Sequence, residues 1–181
     1  GDIANYKFAY PILKEIGLKA YFFILVSKIG RSGYMNWEQI KELRDFGMVI
    51  GSHGMTHRIL TELKDKEIDY ELKASKRYLE DNLGHPIDYL SIPRGFYNGN
   101  IITKAKEAGY KGIFTSSIKD NDGFRFGRIA VKRSWDLEYF VRVLNNGLSL
   151  NDKTKELIKN TSKKILGTKN YDKIRTAILG V

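Results

Sequence analysis

Short apolar runs alternate with longer stretches of helical spacing from Asn5 to Gly147. Ala20-Tyr-Phe-Phe-Ile-Leu-Val26 is a continuous run of strand length, and Met48 to Gly51, Tyr89 to Ile92, Gly112 to Thr115 and Ile129 to Val131 repeat it at shorter length. Between these runs apolar residues return every three or four positions. Asn5 to Ile16 predicts a first helix, kinked or started near Pro11 and closed by Gly17. Asn36 predicts the cap of a second, whose stripe of Trp37, Ile40, Leu43 and Phe46 stops at Gly47. Asp65 to Leu83 predicts a long helix with Ile68, Leu72, Leu79 and Leu83 inward and Gly84 as terminator. Ile101 to Ala108 predicts another, and a last one runs from a Ser134 cap through Leu137, Phe140, Val141 and Leu144 to Gly147. Strands alternating with helices imply βα units around a largely parallel sheet.

From Asn151 the pattern changes to two short basic helices separated by Gly167, with no further strand. We therefore divide the chain into an α/β domain over residues 1–148 and a basic helical tail over 149–181. A length of 181 residues that are 42% hydrophobic suits one main core. No repeat of fixed period is present, which argues against a solenoid.

The chain has no cysteine, so disulfides, thiolate metal sites and cysteine nucleophiles are excluded, and any metal must use His, Asp, Glu or water. The longest apolar run, Ala20 to Val26, falls far short of the roughly 20 residues that span a bilayer, and nothing near Gly1 resembles a signal peptide. The net charge of +10 would draw an acidic polymer, a phospholipid surface or nucleic acid. Most Lys and Arg are interspersed with Asp and Glu, however, and only Lys153 to Arg175 is markedly basic. That tail is expected to pack on the domain or to contact a membrane surface or a protein. Nucleic acid is not an expected partner, since no recognition motif with interleaved aromatics accompanies the charge.

Two of the three histidines fall together, directly after a predicted strand, in Gly51-Ser-His-Gly-Met-Thr-His57. His53 and His57 are spaced so that their imidazoles can converge on one ion, from a helical turn or across a tight loop. The C-terminal end of a parallel strand is also where functional groups gather. Alternatively, one histidine caps the long helix and the other is an ordinary surface residue. Ser52 and Thr56 are placed either to orient the imidazoles or to satisfy local backbone groups. His85, before Pro86, is read as structural.

These residues sit in a longer ordered series. Gly1-Asp2, Ala9-Tyr-Pro-Ile-Leu13, Gly17-Leu-Lys-Ala-Tyr-Phe-Phe23, Gly47-Met-Val-Ile-Gly-Ser-His53, His53-Gly-Met-Thr-His57 and Ser91-Ile-Pro-Arg-Gly-Phe-Tyr-Asn98 together resemble the NodB-homology polysaccharide deacetylases, from Gly1 to about Leu144. The resemblance implies a distorted (β/α) barrel of about seven strands. It implies hydrolysis of N-acetyl groups on N-acetylhexosamine units of a polysaccharide or oligosaccharide, with the cell envelope or a place outside the cytoplasm favoured and a cytoplasmic enzyme on a lipid-linked saccharide as the alternative. It also implies a divalent metal, zinc with cobalt or nickel as alternatives, held by His53 and His57 beside an aspartate.

In that family the first motif ends in Asp-Asp-Gly, and Gly1 matches its glycine. Both the metal-binding aspartate and the general base are thus expected just upstream of Gly1, with Asp2 as a site neighbour only. In the third motif Pro93 is expected near substrate, Tyr97 either to line the sugar groove or to pack the loop, and Arg94 to give an oxyanion donor through its backbone, its guanidinium serving either the site or only the surface of the loop. Arg94 occupies a slot usually aromatic, and Ser91 stands where the usual motif arginine would be. Arg133 resembles a recurrent basic position near the site, with a surface ion pair as the competing reading. Asp136 is read as a helix-start residue. The family's late histidine has no counterpart after His85, which keeps a catalytically impaired glycan-binding relative as the alternative function.

Overall fold

A computed structural model describes residues 1–158 together with residues 161, 162, 165 and 170. The chain forms two compact units, Gly1–Arg128 and Ile129–Val181.

The first unit is built on five parallel strands that lie side by side in chain order: β1 (Tyr21–Ile24), β2 (Val49–Ser52), β3 (Tyr89–Ser91), β4 (Gly112–Phe114) and β5 (Arg125–Phe126). Helix α1 (Tyr10–Glu15) precedes the sheet, and α2 (Trp37–Asp45), α3 (Asp65–Asp69) with α4 (Ser75–Leu83), and α5 (Gly99–Glu107) carry the chain from each of β1, β2 and β3 to the next strand. The α/β class with a parallel sheet is as expected.

Local chemistry sets the helix ends. Asn36 caps α2 by accepting from Gln39 N–H, while the Gln39 side chain accepts from Asn36 N–H. α3 and α4 form one continuous helix through a wide π-helical turn at Tyr70–Ala74, and α4 stops where Gly84 turns left-handed at φ 62°.

Side chains alternate across a strand. The register therefore puts Phe22, Ile24, Ile50, Leu90 and Ile113 on one face, all buried, where they join Ile40, Leu43, Ile68, Leu72, Leu79 and Ile101 of the helices in a single core. The other face carries Tyr21, Phe23, Tyr89, Phe114 and Phe126 in mutual ring contact. Gly51 pairs with Phe23 across this face, and a Cβ at position 51 would come within 2.6 Å of the Phe23 ring.

The described residues hold five strands rather than about seven. Ile129 to Val131 pairs with no strand. The two-residue β5 is too short to show any period in the sequence.

In the second unit, α6 (Leu137–Asn146) is capped by Asp136, whose Oδ1 accepts from Tyr139 N–H at 2.7 Å; Ser134 lies outside the cap. Residues 150–158 are helical. The expected second tail helix and Gly167 lie outside the described residues. Among those described, no helix is long and apolar enough to cross a membrane.

Candidate functional site

At the end of β2 the chain turns sharply through His53, Gly54, Met55, Thr56 and His57. His53 N–H continues the ladder to Ile24 C=O at 2.8 Å, and the N–H groups of Val26 and Ser27 donate to the carbonyls of Gly54 (3.2 Å) and Met55 (2.9 Å). The histidine turn is therefore stitched to the segment that follows β1.

The two imidazoles come together, with ring centroids 4.9 Å apart and planes inclined by 64°. His53 Nδ1 lies 2.7 Å from the Ser91 carbonyl oxygen at the end of β3. A carbonyl can only accept, so Nδ1 carries the proton and Nε2 keeps its lone pair, as in metal-binding histidines. Burial pushes the His53 imidazole down to about 4, with the Ser91 bond opposing and the charges of His57 and Arg128 adding to the shift. His57 is also lowered, by burial first and then by the Arg94 guanidinium. Both rings are neutral near pH 7, the form that binds metal.

Backbone strain marks the same place. His57 (φ 68°) and Arg94 (φ 60°) are the non-glycine residues in the left-handed region among those described. Such conformations cost on the order of 1 kcal/mol each and persist where the surroundings over-determine them.

Here the surroundings include a buried carboxylate that sequence reasoning did not single out. Glu71 Oε2 accepts from Met55 N–H (2.8 Å) and Thr56 N–H (2.9 Å), and Oε1 accepts from the Thr56 hydroxyl. Ser52 Oγ accepts from Gly54 N–H at 3.1 Å and lies 2.9 Å from Ser75 Oγ. Ser52 and Thr56 thus brace the turn and the helix beside it. The signal available in the sequence was weak: Glu71 sits three residues after Ile68, on the inner side of the long helix, where a carboxylate needs an explanation.

The third loop follows β3. Pro93 is buried against the histidine turn, with its Cγ 3.7 Å from where a Cβ on Gly54 would stand. Arg94 C=O accepts from Ser116 Oγ at 3.3 Å. Tyr97 is an anchor for this loop: its hydroxyl donates to Asp120 Oδ2 at 2.7 Å and accepts from Arg125 Nη1 at 3.1 Å. Asp120 Oδ2 also accepts from the Thr115 hydroxyl at 2.6 Å.

Arg128 Nε donates to Thr115 C=O at 3.0 Å, and its charge is felt at His53. With Arg94 beside His57, Arg128 is a second basic residue that the first unit brings to the histidines. Arg133 lies exposed in the turn before α6. Nothing in the local sequence separates Arg128 from Arg125 or Arg133.

Asp2 is exposed and opens the first helical turn, accepting from Ala4 N–H at 2.8 Å. His85 is exposed between α4 and β3, its Nδ1 2.8 Å from Pro86 C=O, at the other end of the strands. Among the described residues no three His, Cys, Asp or Glu side chains converge as a metal site. Two imidazoles are a donor set that could hold zinc, cobalt or nickel; a catalytic zinc site usually has three protein ligands.

The sequence profile of the polysaccharide deacetylase family matches residues 1–113, more than half of the chain. The chain belongs to the polysaccharide deacetylase family. YxkH of Bacillus subtilis, provisionally named a polysaccharide deacetylase, is 30% identical over 135 residues, covering 72% of this chain and 48% of that protein. The peptidoglycan-N-acetylglucosamine deacetylase of Bacillus cereus is 27% identical over 109 residues, covering 60% of this chain and 49% of its own length. This deacetylase-family chain spans about half the length of the curated relatives it matches. Its fold is similar to that of the Streptococcus pyogenes deacetylase PplD in complex with acetate, with a TM-score of 0.71 and 25% identity over 78% of this chain and 65% of that one.

Proposed function

We propose that this chain serves a metal-dependent hydrolase that removes N-acetyl groups from N-acetylhexosamine units of a polysaccharide, with His53 and His57 as two of the metal ligands. The observation that carries the reading is the histidine pair itself: His53, turned by the Ser91 carbonyl so that Nε2 is its ligating nitrogen, stands beside His57. Zinc, cobalt or nickel bound there would polarise the acetamide carbonyl and acidify the attacking water.

The remaining roles fall to the chain. Arg94 N–H, on the strained turn packed against the histidines, is the proposed donor to the oxyanion. The guanidinium groups of Arg94 and Arg128 add positive charge around the pair. The third ligand and the general base are proposed to be aspartates preceding Gly1. Gly1 N–H donates to Phe23 C=O at 2.7 Å, and the next carbonyl, of Ile24, accepts from His53 N–H at 2.8 Å. Gly1 itself thus stands beside the strand end that carries the histidine turn, which supports that proposal.

We read the five-stranded sheet as the larger part of a distorted (β/α) barrel of about seven strands. Peptidoglycan, named as the substrate of the Bacillus cereus relative, supports a place of work at the cell envelope. Acetate, bound in the PplD structure, is the acid that such hydrolysis releases.

The test is acetate release from N-acetylglucosamine oligomers by the protein extended through the residues before Gly1. Release that stops with a chelator and returns with added zinc is expected. Glycan binding without acetate release, whatever metal is added, would overturn the hydrolase reading.

A further inference from the structure

The histidine turn holds a left-handed residue and two rings brought face to edge, an arrangement that a five-residue loop does not adopt for its own sake. What fixes it is on the neighbouring helix. Glu71 is 1% exposed, on the inner side of the wide turn that joins α3 to α4. A carboxylate in that position is costly unless its oxygens are satisfied. The donors given to it, Met55 N–H, Thr56 N–H and Thr56 Oγ–H, all come from the two residues before His57.

The main chain of Glu71 is tied to the same turn from the other side. Ser75 Oγ donates to Glu71 C=O at 2.6 Å, leaving the Ser52 hydroxyl to donate to Ser75 Oγ at 2.9 Å and to accept from Gly54 N–H at 3.1 Å. The packing leaves no slack: a Cβ on Gly54, itself at φ 81°, would stand 2.9 Å from Glu71 Oε2.

We propose that Glu71 is the positioning residue of the histidine pair: by accepting from Met55 and Thr56 it fixes the left-handed backbone of His57 and hence the convergence of the His57 ring on His53. Its functional meaning rests on the metal reading of that pair. Both carboxylate oxygens are engaged by the turn, so Glu71 acts through His57 and is not itself a ligand. Charge-assisted bonds to two successive N–H groups and a hydroxyl define the direction of the chain as it enters His57. Released from them, His57 relaxes toward negative φ and its ring swings away from His53.

The variants Glu71→Leu and Glu71→Gln separate positioning from filling. Leucine occupies similar space and accepts nothing. Glutamine can accept both backbone N–H groups through its oxygen and donate to the Thr56 oxygen through its amide. Two readouts are taken on the full chain: the through-space NMR contact between the His53 and His57 rings, which needs no metal, and zinc affinity by competition with a chromophoric chelator.

The expected result is loss of the ring contact and about a 10- to 100-fold weaker zinc affinity in Glu71→Leu, with both largely restored in Glu71→Gln. A Glu71→Leu protein that keeps the ring contact overturns the proposal. If Glu71→Leu does not fold, the wild type decides: slow amide exchange at Met55 and Thr56 is expected, and fast exchange at both overturns it. A wild-type protein extended through the residues before Gly1 that takes up no zinc counts against the metal reading, and the ring contact then still tests Glu71.

Discussion

The last residue of β3 sets the chemistry of the residue that follows β2: the Ser91 carbonyl oxygen lies 2.7 Å from His53 Nδ1 and claims its proton. At pH 7 the His53 ring should therefore be neutral, with the hydrogen on Nδ1. Nitrogen-15 shifts of the imidazole should show one protonated nitrogen and one with a free lone pair, correlated to Nδ1 and Nε2 respectively. A ring carrying its hydrogen on Nε2 would contradict this arrangement.

The same burial makes stability depend on pH. His53 titrates at about 4 in the folded chain against 6.5 for an ordinary histidine. The unfolded chain therefore takes up a proton first as pH falls. The contribution of His53 is full above about pH 6.5, declines through the window down to about 4 and then levels off, a difference on the order of 3 kcal/mol. Urea unfolding from pH 7 to pH 4 should show the midpoint falling, with a shallower loss in a His53→Gln variant.

Gly51→Ala tests the aromatic face. The added methyl would meet the Phe23 ring at 2.6 Å and the Tyr89 carbonyl at 2.9 Å. Because the sheet backbone cannot move away freely, the expected destabilisation is on the order of 1–3 kcal/mol. Denaturant unfolding measures it, and the near-ultraviolet circular dichroism of the tyrosine and phenylalanine cluster should change with it.

Asn36→Ala removes one half of the capping box on α2, where Asn36 Oδ1 accepts from Gln39 N–H at 3.0 Å. A loss of about 1 kcal/mol is expected. Asn36→Asp should keep the cap, and equal stability of the alanine and aspartate variants would contradict the role assigned to it.

Much of this could be read from the chain. The positions of β1 to β4, the Asn36 cap and the Gly84 stop follow from local patterns, because caps and apolar periods act within a few residues. The nearness of His53 and His57 was also legible, since a strand end followed by a tight turn leaves little choice.

Arg128 and Glu71 were not legible for one shared reason. Each reaches the site through tertiary contacts, across β4 for Arg128 and from the helix after the turn for Glu71, and no spacing rule links such positions. β5 was hidden because two residues show no period, and Ile129 to Val131 was mistaken for a strand because apolar character alone does not supply a partner.

The most direct test of the account is a zinc titration, set against a His53→Ala, His57→Ala variant, of the protein extended through the residues before Gly1. The account predicts one zinc bound per chain by the parent protein and loss of that binding in the variant, with unchanged far-ultraviolet circular dichroism. Equal zinc affinity in the two proteins would contradict it.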